Sequence, residues 1–139
     1  MLRIGELAKR AGCRVQTVRF YEAEGLLSEP ARSEGNFRLY DESHLERLLF
    51  IRRCRCRDMT LDEIRSLLAL RDRPELDCGK VNDLVDAHIA QVRRKITDLI
   101  ELQKQLVELR RSCDSARSTR ECGILNGLAD EFIAREIHQ

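Results

Sequence analysis

The segment from Val81 to Arg111, VNDLVDAHIAQVRRKITDLIELQKQLVELRR, holds no Pro and no Gly, and it constrains the chain more than any other. Apolar residues recur at Val81, Val85, Ile89, Val92, Ile96, Leu99, Leu102, Leu106 and Leu109. Steps of three and four place them as one stripe along a single helix face. At about 1.5 Å per residue the helix is roughly 45 Å long, more than one small domain can cover. A core helix of a monomeric bundle is the alternative, but the chain has no second helix of comparable length to pack against it. The expectation is therefore an antiparallel coiled-coil dimerisation helix, paired with the same helix of a second copy.

The residues flanking this helix carry chemistry. Cys78 lies just before it, Cys113 just after it, and Cys122 a short loop further on. One continuous helix keeps Cys78 and Cys113 apart within a chain. Antiparallel pairing brings the start of one helix beside the end of the other. Cys78 of one chain then meets Cys113 and Cys122 of its partner, twice per dimer. Three thiolates form a soft site that suits Hg(II), Pb(II) and Cd(II) over Mg(II) or Ca(II). Structural Zn(II) normally takes four ligands. Cd(II) would call for a further donor, from water, His88, Asn82 or Asp77. His88, on or beside the stripe, reads more readily as a packed interface residue than as a ligand.

Composition narrows the class. A chain of 139 residues makes one domain or two small ones. It has no apolar run that spans a membrane, and MLRIGELAKR lacks the apolar core of a signal peptide. A soluble, cytoplasmic protein is expected. Six cysteines in that setting point to metal binding or redox sensing rather than structural disulfides. Net charge is only +1, but residues 1–73 hold 15 Lys/Arg against 12 Asp/Glu and residues 74–139 hold 10 against 12. So small an excess does not establish nucleic-acid binding by itself; position matters more.

Position does favour it. Ile4, Leu7, Ala8 and Ala11 give a short helix stopped at Gly12, and a second runs from Val15 to about Ala23 with Gly25 beyond. Two short helices joined by a Gly-containing turn match a helix-turn-helix. The second presents Arg14, Gln16, Thr17, Arg19 and Tyr21, types suited to base edges and phosphates. In PARSEGNFRLYDE, Arg32-Ser33 and Phe37 to Tyr40 read as strands around the turn Glu34-Gly35-Asn36. This basic hairpin reads as a wing whose Arg32, Arg38 and Tyr40 reach the DNA backbone; an incidental solvated hairpin is the plainer alternative.

A third helix is expected from near Asp41 to about Cys56. A fourth opens on Thr60-Leu61-Asp62-Glu63, a capping box, and ends before Pro74. The run Arg52, Arg53, Arg55, Arg57 touches phosphates or is a solvated face. Cys13 reads as a small buried residue. Cys54 and Cys56, two apart on a helix, point about 200° from each other and do not share a metal. The resulting organisation is mainly α: a winged helix-turn-helix over 1–73, a linker over 74–80, the dimerisation helix over 81–111, a metal-binding loop and short helix over 112–128, and a tail over 129–139. Phe132, Ile133 and Ile137 in that tail sit at helical spacing without assignable chemistry.

The motifs IGELAKRAGCRVQTVRFYEAEGLL, ARSEGNFRLY and DMTLDEIRSLL closely resemble the MerR family of transcription regulators. DCGKVNDLVDAHIAQV and LVELRRSCDSARSTRECGIL resemble its lead- and cadmium-responsive branch. The resemblance covers about residues 1–128. It implies a homodimer on promoter double-stranded DNA whose spacer is longer than usual. Metal binding then bends and untwists that DNA so that RNA polymerase engages both promoter elements, activating heavy-metal resistance genes. It favours Pb(II) or Cd(II) as inducer, with Hg(II) or Zn(II) as alternatives. Cys56-Arg57 departs from the family, which usually carries a small polar residue and then Leu there. The tail lacks the His-rich extension of some cadmium regulators. Rival readings are a metal-storage protein, against which the winged helix-turn-helix argues, and a thiol redox switch. No constellation suggests an enzyme, and an iron–sulfur sensor would need four clustered cysteines.

Overall fold

The computed structural model describes residues 1–130. The helical spacing expected at Phe132, Ile133 and Ile137 lies outside them. The fold is mainly helical, with six α-helices, one short 3-10 turn and a two-stranded hairpin among the described residues. Two compact units divide the chain, Met1–Asp86 and Ala87–Gln139. No helix among the described residues is long and apolar enough to cross a membrane.

In the first unit, α1 (Ile4–Ala11) ends at Gly12, whose φ of 71° is left-handed. Gly adopts that conformation without a Cβ penalty. Its N–H donates to the Lys9 carbonyl and that of Cys13 to the Ala8 carbonyl, which closes the helix and turns the chain into α2 (Val15–Ala23). Strands β1 (Ala31–Arg32) and β2 (Arg38–Leu39) pair antiparallel, Ala31 opposite Leu39 and Arg32 opposite Arg38. Ser33, expected in the first strand, is instead in the turn: its Oγ accepts the Phe37 N–H at 3.1 Å. An isolated bridge between Leu2 and Tyr40 ties the N-terminus to the hairpin.

Helix α3 (Glu42–Arg55) starts on an Asp41–His44 capping box. Helix α4 (Leu61–Arg71) starts on the Thr60–Glu63 box, with Glu63 N–H to Thr60 Oγ1 at 3.1 Å and Thr60 N–H to Glu63 Oε1 at 2.9 Å. Leu7, Val18, Leu26, Tyr40, Leu48, Ile51, Ile64 and Leu68 are fully buried and form one core. Arg47 spans the base of the unit, donating to the Leu26 carbonyl at 2.6 Å and to Asp72 at 3.1 Å.

Helix α5 runs Gly79–Arg111, starting two residues before the expected Val81. Asp77 is the reason, since its Oδ1 accepts the Gly79 N–H at 2.8 Å and satisfies an orphan donor of the first turn. In the second unit Ile89, Ile96, Leu99, Ile100, Leu102, Leu106 and Val107 of α5 are large apolar residues left exposed. A stripe of this kind marks an interaction face. His88 is buried within the single chain, so it is not part of that open face. A 3-10 turn, Thr119–Glu121, then leads into α6 (Gly123–Ala129).

Candidate nucleic-acid interface and metal centre

In the first unit, Arg14 caps α2, and Arg14, Gln16 and Arg19 are exposed while Thr17 is half-buried. On the hairpin, exposed Arg32 donates to the Asn36 carbonyl at 3.2 Å. Half-buried Arg38 stands 3.7 Å from Glu22 of α2, which steadies it beside the helix. Arg3, Arg19, Arg32 and Arg38 border one cleft of about 230 Å³ with Phe37.

Two expected contact residues are placed differently. Tyr40 has no exposed surface; its hydroxyl donates to Glu22 at 3.2 Å and its ring meets His44 edge-on. Burial, and then the Glu22 carboxylate, push its phenol up to about 12. Tyr21 is only 7% exposed. Both rings belong to the buried core of the first unit, although they looked free in the sequence. Tyr40 instead positions Glu22, and through it Arg38. Sequence reading missed Arg3 and Phe37. The Arg3 guanidinium stacks 4.3 Å from the ring centroid of half-exposed Phe37. The Leu2–Tyr40 bridge brings the N-terminus to the hairpin, and no local motif announces it.

In the second unit, Cys113 and Cys122 are brought together because their chain neighbours Ser112 and Gly123 are in close contact. Cys122 is the N-cap of α6, and its thiol is held below its ordinary range. The Leu125 N–H is the main cause, supported by the Ile124 N–H and the Cys113 thiol against some desolvation. Cys113 donates to the Ser115 carbonyl at 3.5 Å, and Arg110 donates to the Cys113 carbonyl at 2.7 Å. Gly123 is required by space: a Cβ there would sit 1.9 Å from the Ser112 carbonyl oxygen. That contact seats the start of α6 against the end of α5, next to Cys113.

Cys78 belongs to the first unit and is exposed, with Asn82 Nδ2 4.0 Å from its Sγ. Among the described residues, no three His, Cys, Asp or Glu side chains of this one chain gather around a metal position. Cys113 and Cys122 form a pair of soft donors that lacks a third. The remaining thiols differ: Cys13 is half-buried, Cys54 is buried in the core and Cys56 is exposed.

A winged helix-turn-helix with exposed guanidinium groups, followed by a long helix with an exposed apolar stripe and a thiol pair, defines a DNA-binding regulator rather than an enzyme. The chain belongs to the MerR HTH regulatory protein family, whose model matches residues 2–70, and a second model, described as MerR, DNA binding, matches residues 45–109. The chain is 46% identical over 109 residues to an HTH-type transcriptional regulator ZntR homolog of Haemophilus influenzae, covering 78% of this chain and 81% of that one. The crystal structure of the transcription regulator PbrR691 from Ralstonia metallidurans CH34 in complex with Lead(II) is 76% identical, with a TM-score of 0.83, covering 92% of this chain and 99% of that one. The Bacillus megaterium MB1 regulator MerR in complex with mercury(II) is 34% identical, with a TM-score of 0.72, covering 93% and 100%.

Proposed function

We propose that this transcription regulator acts in the cytoplasm, binds promoter DNA as a homodimer and activates heavy-metal resistance genes together with RNA polymerase. The inducer is a soft metal ion, Pb(II) before Cd(II), held by Cys78 of one chain with Cys113 and Cys122 of the partner subunit. The observation that carries this reading is the thiol pair: Cys113 and Cys122 are adjacent, yet no third donor joins them within one chain among the described residues. Cys78 precedes a helix of 33 residues, about 50 Å at 1.5 Å per residue, and Cys113 follows it. A straight helix cannot close that span, whereas an antiparallel partner helix supplies the missing sulfur. A relative 76% identical in complex with Lead(II) supports Pb(II). The mercury(II) complex at 34% identity keeps Hg(II) as the second reading.

Arg14, Gln16, Thr17 and Arg19 of α2 are assigned to the DNA groove, and Arg32 and Arg38 of the hairpin to its backbone. Metal bonds spanning the interface fix the two DNA-binding units in one geometry, and the promoter is distorted to match.

The experiment is complementation. A Cys78→Ser chain is mixed with a Cys113→Ser/Cys122→Ser chain, and the verified heterodimer is titrated with Pb(II) while thiolate-to-metal absorption is read. A shared site gives one intact three-sulfur site per heterodimer. A site within single chains gives none, and absence of the absorption band rejects the shared site.

A further inference from the structure

The first unit holds thiols that the proposed metal site does not use. Cys13, in the turn of the helix-turn-helix, and Cys56, the C-cap of α3, border one open cavity of about 470 Å³. Arg14, Arg52 and Arg55 border it too, with Thr17. Among the described residues bordering it none is acidic. Arg52 is anchored to the Ala11 carbonyl, and Arg55 donates to the Met59 carbonyl at 2.8 Å. Each guanidinium has five N–H donors, so one anchoring bond leaves most of them for the cavity. The volume falls within the 300–1,000 Å³ typical of small-molecule sites.

We propose that this cavity is a site of mixed-disulfide formation, with Cys56 as the attacking thiol and a carboxylate-bearing low-molecular-weight disulfide, of which oxidised glutathione is the probe, as the reactant. The arginines attract the carboxylates and raise the local concentration of the anionic reagent. The Cys56 thiolate attacks one sulfur, and the reagent's S–S bond breaks as the new one forms. The other half departs as a thiolate and takes a proton from water. Cys56 is oxidised and the departing half is reduced, so no further oxidant is needed. The neighbouring cysteines are poorer candidates. Cys54 is buried in the core, and burial pushes the thiols of both Cys54 and Cys13 up, against the opposing Arg57 and Arg52 charges respectively. An adduct in the cavity covers Arg14 and Thr17, two residues assigned to DNA above, so this second consequence rests on the promoter-binding reading.

The test takes the reduced full-length protein and exposes it in parallel to oxidised glutathione and to neutral bis(2-hydroxyethyl) disulfide, and maps adducts by peptide mass. Cys56 is modified ahead of Cys13 and Cys54, at least about tenfold faster by glutathione disulfide than by the neutral reagent, and salt erodes that preference. Where a Cys13–Cys56 disulfide replaces the adduct, Cys13→Ser and Cys56→Ser decide which thiol attacked: the proposal requires Cys13→Ser to trap the glutathione adduct on Cys56, and an adduct trapped on Cys13 in Cys56→Ser at the parent rate overturns it. Cys56→Ser keeps promoter affinity and takes no adduct at this position. Modified protein binds promoter at least about tenfold more weakly, because the groove contacts assigned to Arg14 and Thr17 are lost, and a thiol reductant restores it. First modification at Cys54 or Cys13, or equal rates with the two reagents, overturns the site. Unchanged affinity of protein carrying the Cys56 adduct overturns the coverage of Arg14 and Thr17. If reduced protein binds no promoter at all, the functional reading fails, while the mapping still decides the site.

Discussion

Gly123 shows how one residue without a side chain serves the thiol pair. Its φ is not the issue; the Ser112 carbonyl occupies the place a Cβ would need. In Gly123→Ala the start of α6 must move, and the Cys122 thiol moves with it. Metal affinity should fall about 10- to 100-fold, the range for lost outer-shell support, with promoter affinity unchanged. Competition titration against a chromophoric chelator reads the first, and fluorescence anisotropy the second. Tyr40 gives a prediction of a different kind. Its phenol titrates at about 12 in the fold and at about 10 in the unfolded chain. A raised folded value means that the neutral phenol is favoured by folding. Its contribution is complete below about pH 10 and is lost as pH rises through about 12. Urea midpoints should drop over that window, and Tyr40→Phe should show the smaller drop. Neither residue's role was legible in the sequence: Tyr40 sits in a basic hairpin that reads as DNA-facing, and nothing singles Gly123 out within the loop and short helix over 112–128. Both roles come from contacts made by tertiary folding.

Among the elements, those whose boundaries are set by local chemistry were legible. The ends of α1 and α2 fall where Gly12 and the apolar spacing place them, and α4 begins at the expected box. Thr60→Ala removes the acceptor for the Glu63 N–H and should cost about 1 kcal/mol, visible as a lower urea midpoint with an unchanged slope. Where a side chain competes with a ladder or adds a cap, the boundary shifted. Ser33 leaves β1 for the turn, and Asp77 begins α5 at Gly79. The placement of the candidate DNA-facing residues was legible to the same degree. Gln16 and Arg19 are exposed on α2 because helical spacing sets their direction, and Arg14 is exposed at its N-cap. Arg3 meets Phe37 of the hairpin because its neighbour Leu2 bridges to Tyr40 far along the chain, and spacing carries no trace of it.

For the whole molecule the open question is what covers α5. Ile96 is 51% and Leu99 62% exposed, in a stripe that continues through Leu102 and Leu106. Each copy offers the same stripe, so two-fold pairing buries both at once, and antiparallel pairing also places Cys78 of one chain near Cys113 and Cys122 of its partner. In Ile96→Asp/Leu99→Asp a dimer would bury four carboxylates, each costing several kcal/mol without a partner charge. The apolar burial lost at the same positions, about 1.5–3 kcal/mol for a fully buried Ile or Leu, acts in the same direction. The variant should sediment as a monomer at concentrations where the parent is a dimer. The first unit keeps its own core, none of which lies at the two substituted positions, so its melting should be little changed. Promoter affinity should collapse, because one monomer reads one half-site and loses the linked second contact. Analytical ultracentrifugation and anisotropy on the same samples separate the two effects. A double variant that still sediments as a dimer would remove α5 from the interface, and the shared three-cysteine site would fall with it.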